Sequence, residues 1–144
     1  MKEQCIPHKS NILISILLIF SFVSCKIEEG TGGNGSIKGK VYFQRTLDLS
    51  SIGGDPETVV AEYAAIDTKV YIKYGDNEIY DDDFDTDENG AFKFTNLVKG
   101  DYTIFVYDNC DECGENNIEP VYQYITLQKH NSEISEVTFY IEEE

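Results

Sequence analysis

The chain has 144 residues, with 27 Asp and Glu against 11 Lys and Arg, for a formal charge of −16. Such an excess of carboxylates repels phosphate backbones and excludes nucleic acid as a partner; cations, basic protein surfaces and neutral glycans remain. The length bounds the chain at a leader plus one domain.

Lys2 and Lys9 precede an apolar run from Ile12 to Val23 that stops at Ser24-Cys25. The run is too short to span a bilayer. A basic start, a short apolar centre and a small residue before the cut describe a secretory signal peptide over residues 1–24. Phe22-Val23-Ser24-Cys25 resembles the lipobox of bacterial lipoproteins, with Phe22 standing where an aliphatic residue is usual. The resemblance implies that Cys25 is the first mature residue and carries acyl chains, palmitate among them, that anchor the protein in the bacterial envelope at the outer membrane. An ordinary cleaved signal beside a coincidental cysteine is the plainer alternative.

Residues 25–35 read as the lipidated cysteine and a flexible tether, because Gly30-Thr31-Gly32-Gly33-Asn34-Gly35 is polar and rich in glycine. Lys26 followed by Glu28 and Glu29 also looks like the acidic signal that sends some Gram-negative lipoproteins to the cell surface. The folded domain is expected over residues 36–144.

Within that domain apolar residues recur with period two between closely spaced turn residues, the pattern of an all-β sandwich. Ile37, Val41 and Phe43 fall on one face of the first strand, with Lys38, Lys40 and Tyr42 on the other. The same alternation turns Val70, Ile72 and Tyr74 inward, then Tyr102, Ile104 and Val106, and finally Val137, Phe139 and Ile141. Further strands are read near residues 78–82, over 91–97 and over 121–128. Pro56 to Ala65 reads as a short helix within a long connection, residues 45–68.

The run Thr86-Asp87-Glu88-Asn89-Gly90-Ala91-Phe92-Lys93-Phe94-Thr95-Asn96-Leu97, followed by Lys99-Gly100-Asp101-Tyr102-Thr103-Ile104, resembles the carboxypeptidase regulatory-like domain. Such domains are similar to prealbumin (transthyretin) and to the B-type repeats of collagen-binding surface proteins. The resemblance implies a seven-stranded Greek-key β-sandwich, immunoglobulin-like or prealbumin-like; its motifs specify a fold and not an activity. Strands that alternate in direction, as sandwiches of this kind mostly have, put the acidic connections 45–68, 84–90 and 108–120 at one end and the short ones, with the tether, at the other.

Two constellations are candidate sites. Asp85-Thr86-Asp87-Glu88-Asn89-Gly90 matches the first half of a calcium loop, but Asn96 stands where the bidentate carboxylate belongs, so a hairpin turn is the plainer reading. A looser calcium site would draw on Asp83, Asp85, Asp87, Asn89, Asp108 and Asp111; otherwise no cofactor is expected. Cys110 and Cys113 are expected to form a disulfide in an oxidising envelope, since surrounding carboxylates disfavour a reactive thiolate. No Ser or Cys has a plausible His partner for nucleophilic catalysis. Tyr42, Tyr71, Tyr107, Tyr122 and Tyr140 fall on outer faces, where β-propensity alone would place them.

The sequence therefore reads as a non-catalytic, lipid-anchored binding or structural module whose acidic distal loops meet a protein or glycan partner. The alternative is a glycan- or small-ligand-binding accessory lipoprotein of an outer-membrane uptake system. Exposed tyrosines gathered on one flat face would favour glycans.

Overall fold

The computed structural model describes residues 28–48, 58–110 and 117–142, which form eight strands and, among the described residues, no helix. The strands are β1 (Thr31–Asp48), β2 (Thr58–Ala64), β3 (Lys69–Tyr74), β4 (Asp82–Asp85), β5 (Ala91–Leu97), β6 (Gly100–Asn109), β7 (Ile118–Leu127) and β8 (Glu133–Glu142). They build two sheets. One is ordered β4-β3-β6-β7 and is antiparallel throughout; the other is organised around β1.

β1 is long enough to serve three partners. Lys40 pairs with both Ala91 and Thr138, and Tyr42 with both Ala64 and Tyr140. β8 therefore runs along one edge of β1, in parallel, while β5 and β2 occupy the other edge in succession. Val41 marks the change of partner: its N–H donates to the Gly90 carbonyl, and its carbonyl accepts from the Ala65 N–H.

The all-β sandwich agrees with the expected fold class, with eight strands in place of seven. The additional strand is β2, which occupies part of the stretch expected to be helical. Thr58, Val59 and Val60 are β-branched and favour extended backbone, and the projecting end of β1 offers them a partner from Tyr42 to Asp48. That available edge outweighs weak local helix propensity.

The first strand also starts earlier than expected, at Thr31 within the glycine-rich segment. Those glycines allow close approach. A Cβ on Gly33 would lie 2.1 Å from the Leu97 carbonyl oxygen, and one on Gly35 would lie 2.8 Å from it. The Val98 N–H donates to the Gly30 carbonyl, and the Asn34 N–H to that of His130.

The inward alternation is as the sequence predicts. Ile37, Val41, Val70, Ile72, Tyr102, Ile104, Val106, Val137, Phe139 and Ile141 are buried in one core, with Phe92, Phe94, Leu97 and Leu127 closing it. Fully burying one such aliphatic or phenyl side chain contributes roughly 1.5–3 kcal/mol. Among the described residues, parts of the connections expected at one end meet there. Buried Thr86 donates its hydroxyl to the Ala65 carbonyl and accepts from the Thr68 N–H, tying the segment after β4 to the one before β3. Ile66, Asp67 and Thr68 in turn line a recess of about 590 Å³ with Asn109 and Ile118. Residues 28–30 enter at the other end, beside Tyr74–Asn77 and Val98.

Candidate functional site

The carboxylates proposed for calcium are divided among separate tasks. Asp83 and Asp85, one residue apart from a shared neighbour on β4, both ion-pair with Lys69 at 2.6 and 2.9 Å, and this pairing raises the lysine pKa. Asp108 accepts from the Glu142 N–H at 2.7 Å. Asn89 is an exposed turn residue, and Asp111 lies outside the described residues. Among the described residues no three His, Cys, Asp or Glu side chains are gathered for a metal ion.

Asp87 acts locally. Its Oδ1 accepts from the backbone N–H of Asn89 and Ala91 at 2.8 and 2.9 Å, while the Gly90 N–H returns to the Asp87 carbonyl. The segment is a tight turn, as the Asn-Gly pair predicts, but it carries the chain from β4 in one sheet to β5 in the other instead of closing a hairpin within one sheet. The Ala91 and Asn89 hydrogen bonds hold the Asp87 carboxyl below the usual carboxylate range. A lowered folded-state pKa means that the stabilisation is present above the unfolded pKa and is lost as pH falls through the folded one. An NMR titration should thus place the Asp87 midpoint below that of aspartate in an unstructured peptide. A midpoint at or above that value would show that the turn does not hold the carboxylate.

Cys110 is disulfide-bonded; Cys113 and the lipidation candidate Cys25 lie outside the described residues. No helix among the described residues is long and apolar enough to cross a membrane.

What the fold does gather is aromatic. Val70, Ile72, Ile104 and Val106 face the core, so alternation turns Tyr71, Phe105 and Tyr107 to the outer face of the β4-β3-β6-β7 sheet. The register then sets Tyr71, Phe105 and Tyr122 in one row across β3, β6 and β7. Tyr71 stacks on Phe105 with centroids 5.0 Å apart and planes at 16°, and Tyr122 lies 5.3 Å from Phe105 on its other side. Tyr107 meets both Tyr71 and Phe105 edge-on. Tyr80 reaches in from the β3–β4 connection to 4.8 Å from Tyr71. Each such pair adds roughly 0.5–1.5 kcal/mol beyond area burial.

Phe105 is the hub, only 5% exposed although it points out of the sandwich. Its neighbours roof it, and the Lys73 ammonium lies 5.9 Å from its centroid and 5.5 Å from that of Tyr122. Around the hub the rings are open: Tyr80, Tyr107 and Tyr122 are exposed, and Tyr124 is 81% exposed, near-parallel to Tyr122 at 24°. At one margin of the patch, Lys69 holds Asp83 and Asp85 in place.

Of the five tyrosines expected on outer faces, Tyr71, Tyr107 and Tyr122 share this patch, while Tyr42 and Tyr140 stack on the other sheet at 5.8 Å. Phe105, Tyr80 and Tyr124 were not anticipated. The alternation that turns Tyr102, Ile104 and Val106 inward also turns Phe105 outward, and that was the available signal.

No known family profile and no curated protein matches the chain. It is similar to a solved structure from Pseudomonas aeruginosa, a protein provisionally described as carbohydrate-binding, with 18% identity over 78% of this chain and 91% of that one and a TM-score of 0.48. A likeness at that level says nothing about this chain's ligand.

Proposed function

We propose that this chain is a non-catalytic, lipid-anchored binding module of the bacterial envelope, displayed from the outer membrane through Cys25, and that it binds neutral glycan on the outer aromatic face of the β4-β3-β6-β7 sheet. The resemblance of Thr86–Leu97 and its continuation to Ile104 to the carboxypeptidase regulatory-like domain supports the reading of a non-catalytic module. One observation carries the ligand assignment: around the covered Phe105 and half-buried Tyr71, the rings of Tyr80, Tyr107, Tyr122 and Tyr124 are exposed on one face, which protein folding does not require. Clustered exposed apolar area of this kind marks an interaction site.

Tyrosine suits a sugar because its ring stacks on the C–H face of a pyranose while its hydroxyl exchanges hydrogen bonds with sugar hydroxyls. The high negative charge argues for a neutral glycan over an acidic one on this face. The sheet itself is rigid, so the rings are held before the ligand arrives.

Calorimetric titration with cello-, xylo- and manno-oligosaccharides tests the assignment. At least one series should bind saturably, and Tyr124→Ala and Tyr122→Ala should each weaken it on the order of tenfold, the loss that one well-placed ring contributes. Both rings are exposed, so the fold should survive their removal. Absence of binding in all three series, or unchanged affinity in both variants, would sink the glycan reading. Labelled palmitate that fails to enter the wild-type chain, or enters Cys25→Ala equally, would sink the anchor independently.

A further inference from the structure

The outer face of the β1 sheet carries the opposite chemistry. Ile37 and Val41 point inward, so Lys38 and Lys40 point out, and the register sets Lys38 directly across from Lys93. Like charges so placed repel. Three of the chain's 11 basic residues thus meet on one face of a protein with 27 acidic ones. They line a recess of about 450 Å³ together with Phe84, Ser135 and Thr138.

The lysines are only partly answered. Lys38 pairs with Glu133 at 2.8 Å, and no carboxylate among the described residues lies within 4.0 Å of Lys40 or Lys93. The Lys40 ammonium instead sits 6.0 Å from the Tyr42 ring centroid. One carboxylate, Asp87, is itself part of the lining, but its oxygen is engaged by the Ala91 and Asn89 N–H groups, and Lys40 adds to the lowering of its pKa that they cause. Glu133, the partner of Lys38, is likewise held below its usual range by Lys38, with a contribution from Lys93.

We propose that this recess binds a compact oxyanion, a carboxylate or phosphate group carried on a small body. An ammonium is a point charge with three donors and accepts either group without the planar match that a guanidinium imposes. The lysine stems and Phe84 supply apolar wall for the body of the ligand, and Ser135 and Thr138 stand at the recess with neutral hydroxyls. Size separates this ligand from larger anions. Charges are screened beyond about 8 Å at physiological salt, so a small anion inside the recess feels the lysines first, whereas a polyanion or an anionic bilayer also confronts the acidic remainder of the surface. The site is independent of the aromatic face and stands or falls separately from it.

Two-dimensional NMR titration of the purified chain tests the proposal, using sodium glucuronate, sodium phosphate and glucose as probes. Glucuronate, phosphate or both should shift amides at residues 38–40, 91–93 and 135–138 saturably, and glucose should not move them. The two oxyanion arms identify which group the site prefers. A Lys40→Gln/Lys93→Gln double variant should weaken binding on the order of tenfold or more, with its remaining amide spectrum unchanged as the control for folding. No saturable shift with either oxyanion, or equal shifts in the double variant, overturns the proposal. So does lysine-dependent binding seen only with anionic phosphatidylglycerol vesicles, which would make the face a membrane contact.

Discussion

Replacing Tyr102 by alanine should destabilise the purified chain by about 3–5 kcal/mol, the usual cost of removing a large buried aromatic; replacement by phenylalanine should cost about 1–3 kcal/mol. Tyr102 is fully buried near the start of β6, and its hydroxyl lies 2.7 Å from the Val98 carbonyl, four residues upstream. That is the arrangement of the tyrosine corner seen in sandwich folds. Here the hydroxyl also lies 3.3 Å from the Gly30 N–H, and Gly30 in turn receives the Val98 N–H. One phenol thus ties the entering segment to the β5–β6 connection. Urea melts measure the two losses, and amide exchange at Gly30 and Val98 separates them: phenylalanine should loosen those amides while leaving β3 and β8 protected. A phenylalanine variant with unchanged stability and unchanged exchange would show that the ring alone holds this end together. Burial also raises the Tyr102 pKa. Its contribution is therefore complete below the unfolded tyrosine pKa of about 10 and declines as pH rises through the higher folded value, and Tyr102→Phe should remove that share of the alkaline loss.

Gly90→Ala should lower stability by roughly 3 kcal/mol, about 12–24 °C in melting temperature for a domain of this size. Gly90 has φ +69°, a left-handed conformation that costs any residue with a Cβ. Space is the larger difficulty, because a Cβ there would lie 2.4 Å from the Val41 carbonyl oxygen. That oxygen accepts from Ala65, and the Val41 N–H donates to Gly90 itself. A displaced Gly90 would therefore pull on β1 at the point where β5 gives way to β2. Asparagine separates the two causes, since it tolerates left-handed backbone yet still carries a Cβ. A Gly90→Asn variant as unstable as Gly90→Ala would assign the loss to the contact, and a mild one to backbone conformation. Scanning calorimetry showing a fall below about 4 °C, roughly 1 kcal/mol, in Gly90→Ala would mean that the junction at Val41 adapts freely.

Much of this fold was legible because alternation is a local signal. Each of Val70, Ile104 and Phe139 is followed two positions later by another apolar residue, and strand geometry sends both to the same side. Asn89-Gly90 likewise announces its turn through backbone chemistry confined to a few residues. Partnership is not local. The stretch from Thr58 to Ala64 becomes a strand because the far half of β1 presents an unpaired edge, and nothing within those residues states that the edge exists. The surroundings of the acidic residues are not local either: the register sets Asp85 opposite Lys69, whose ammonium ion-pairs with both Asp85 and Asp83.

The candidate sites follow the same division. Which side of its strand Tyr71, Tyr107, Tyr122, Lys38 or Lys40 occupies was written in the sequence by itself, because successive residues of a strand point to opposite faces whatever its neighbours are. The strong negative charge, the choice of β-sandwich and the turn at residues 87–90 were determined at that level too. Only the tertiary structure decided that Tyr71, Phe105 and Tyr122 form one row, that Tyr42 and Tyr140 stand apart from it, and that Lys38 faces Lys93. Those meetings depend on strand order and register, which are settled by how well distant segments bury their apolar faces together.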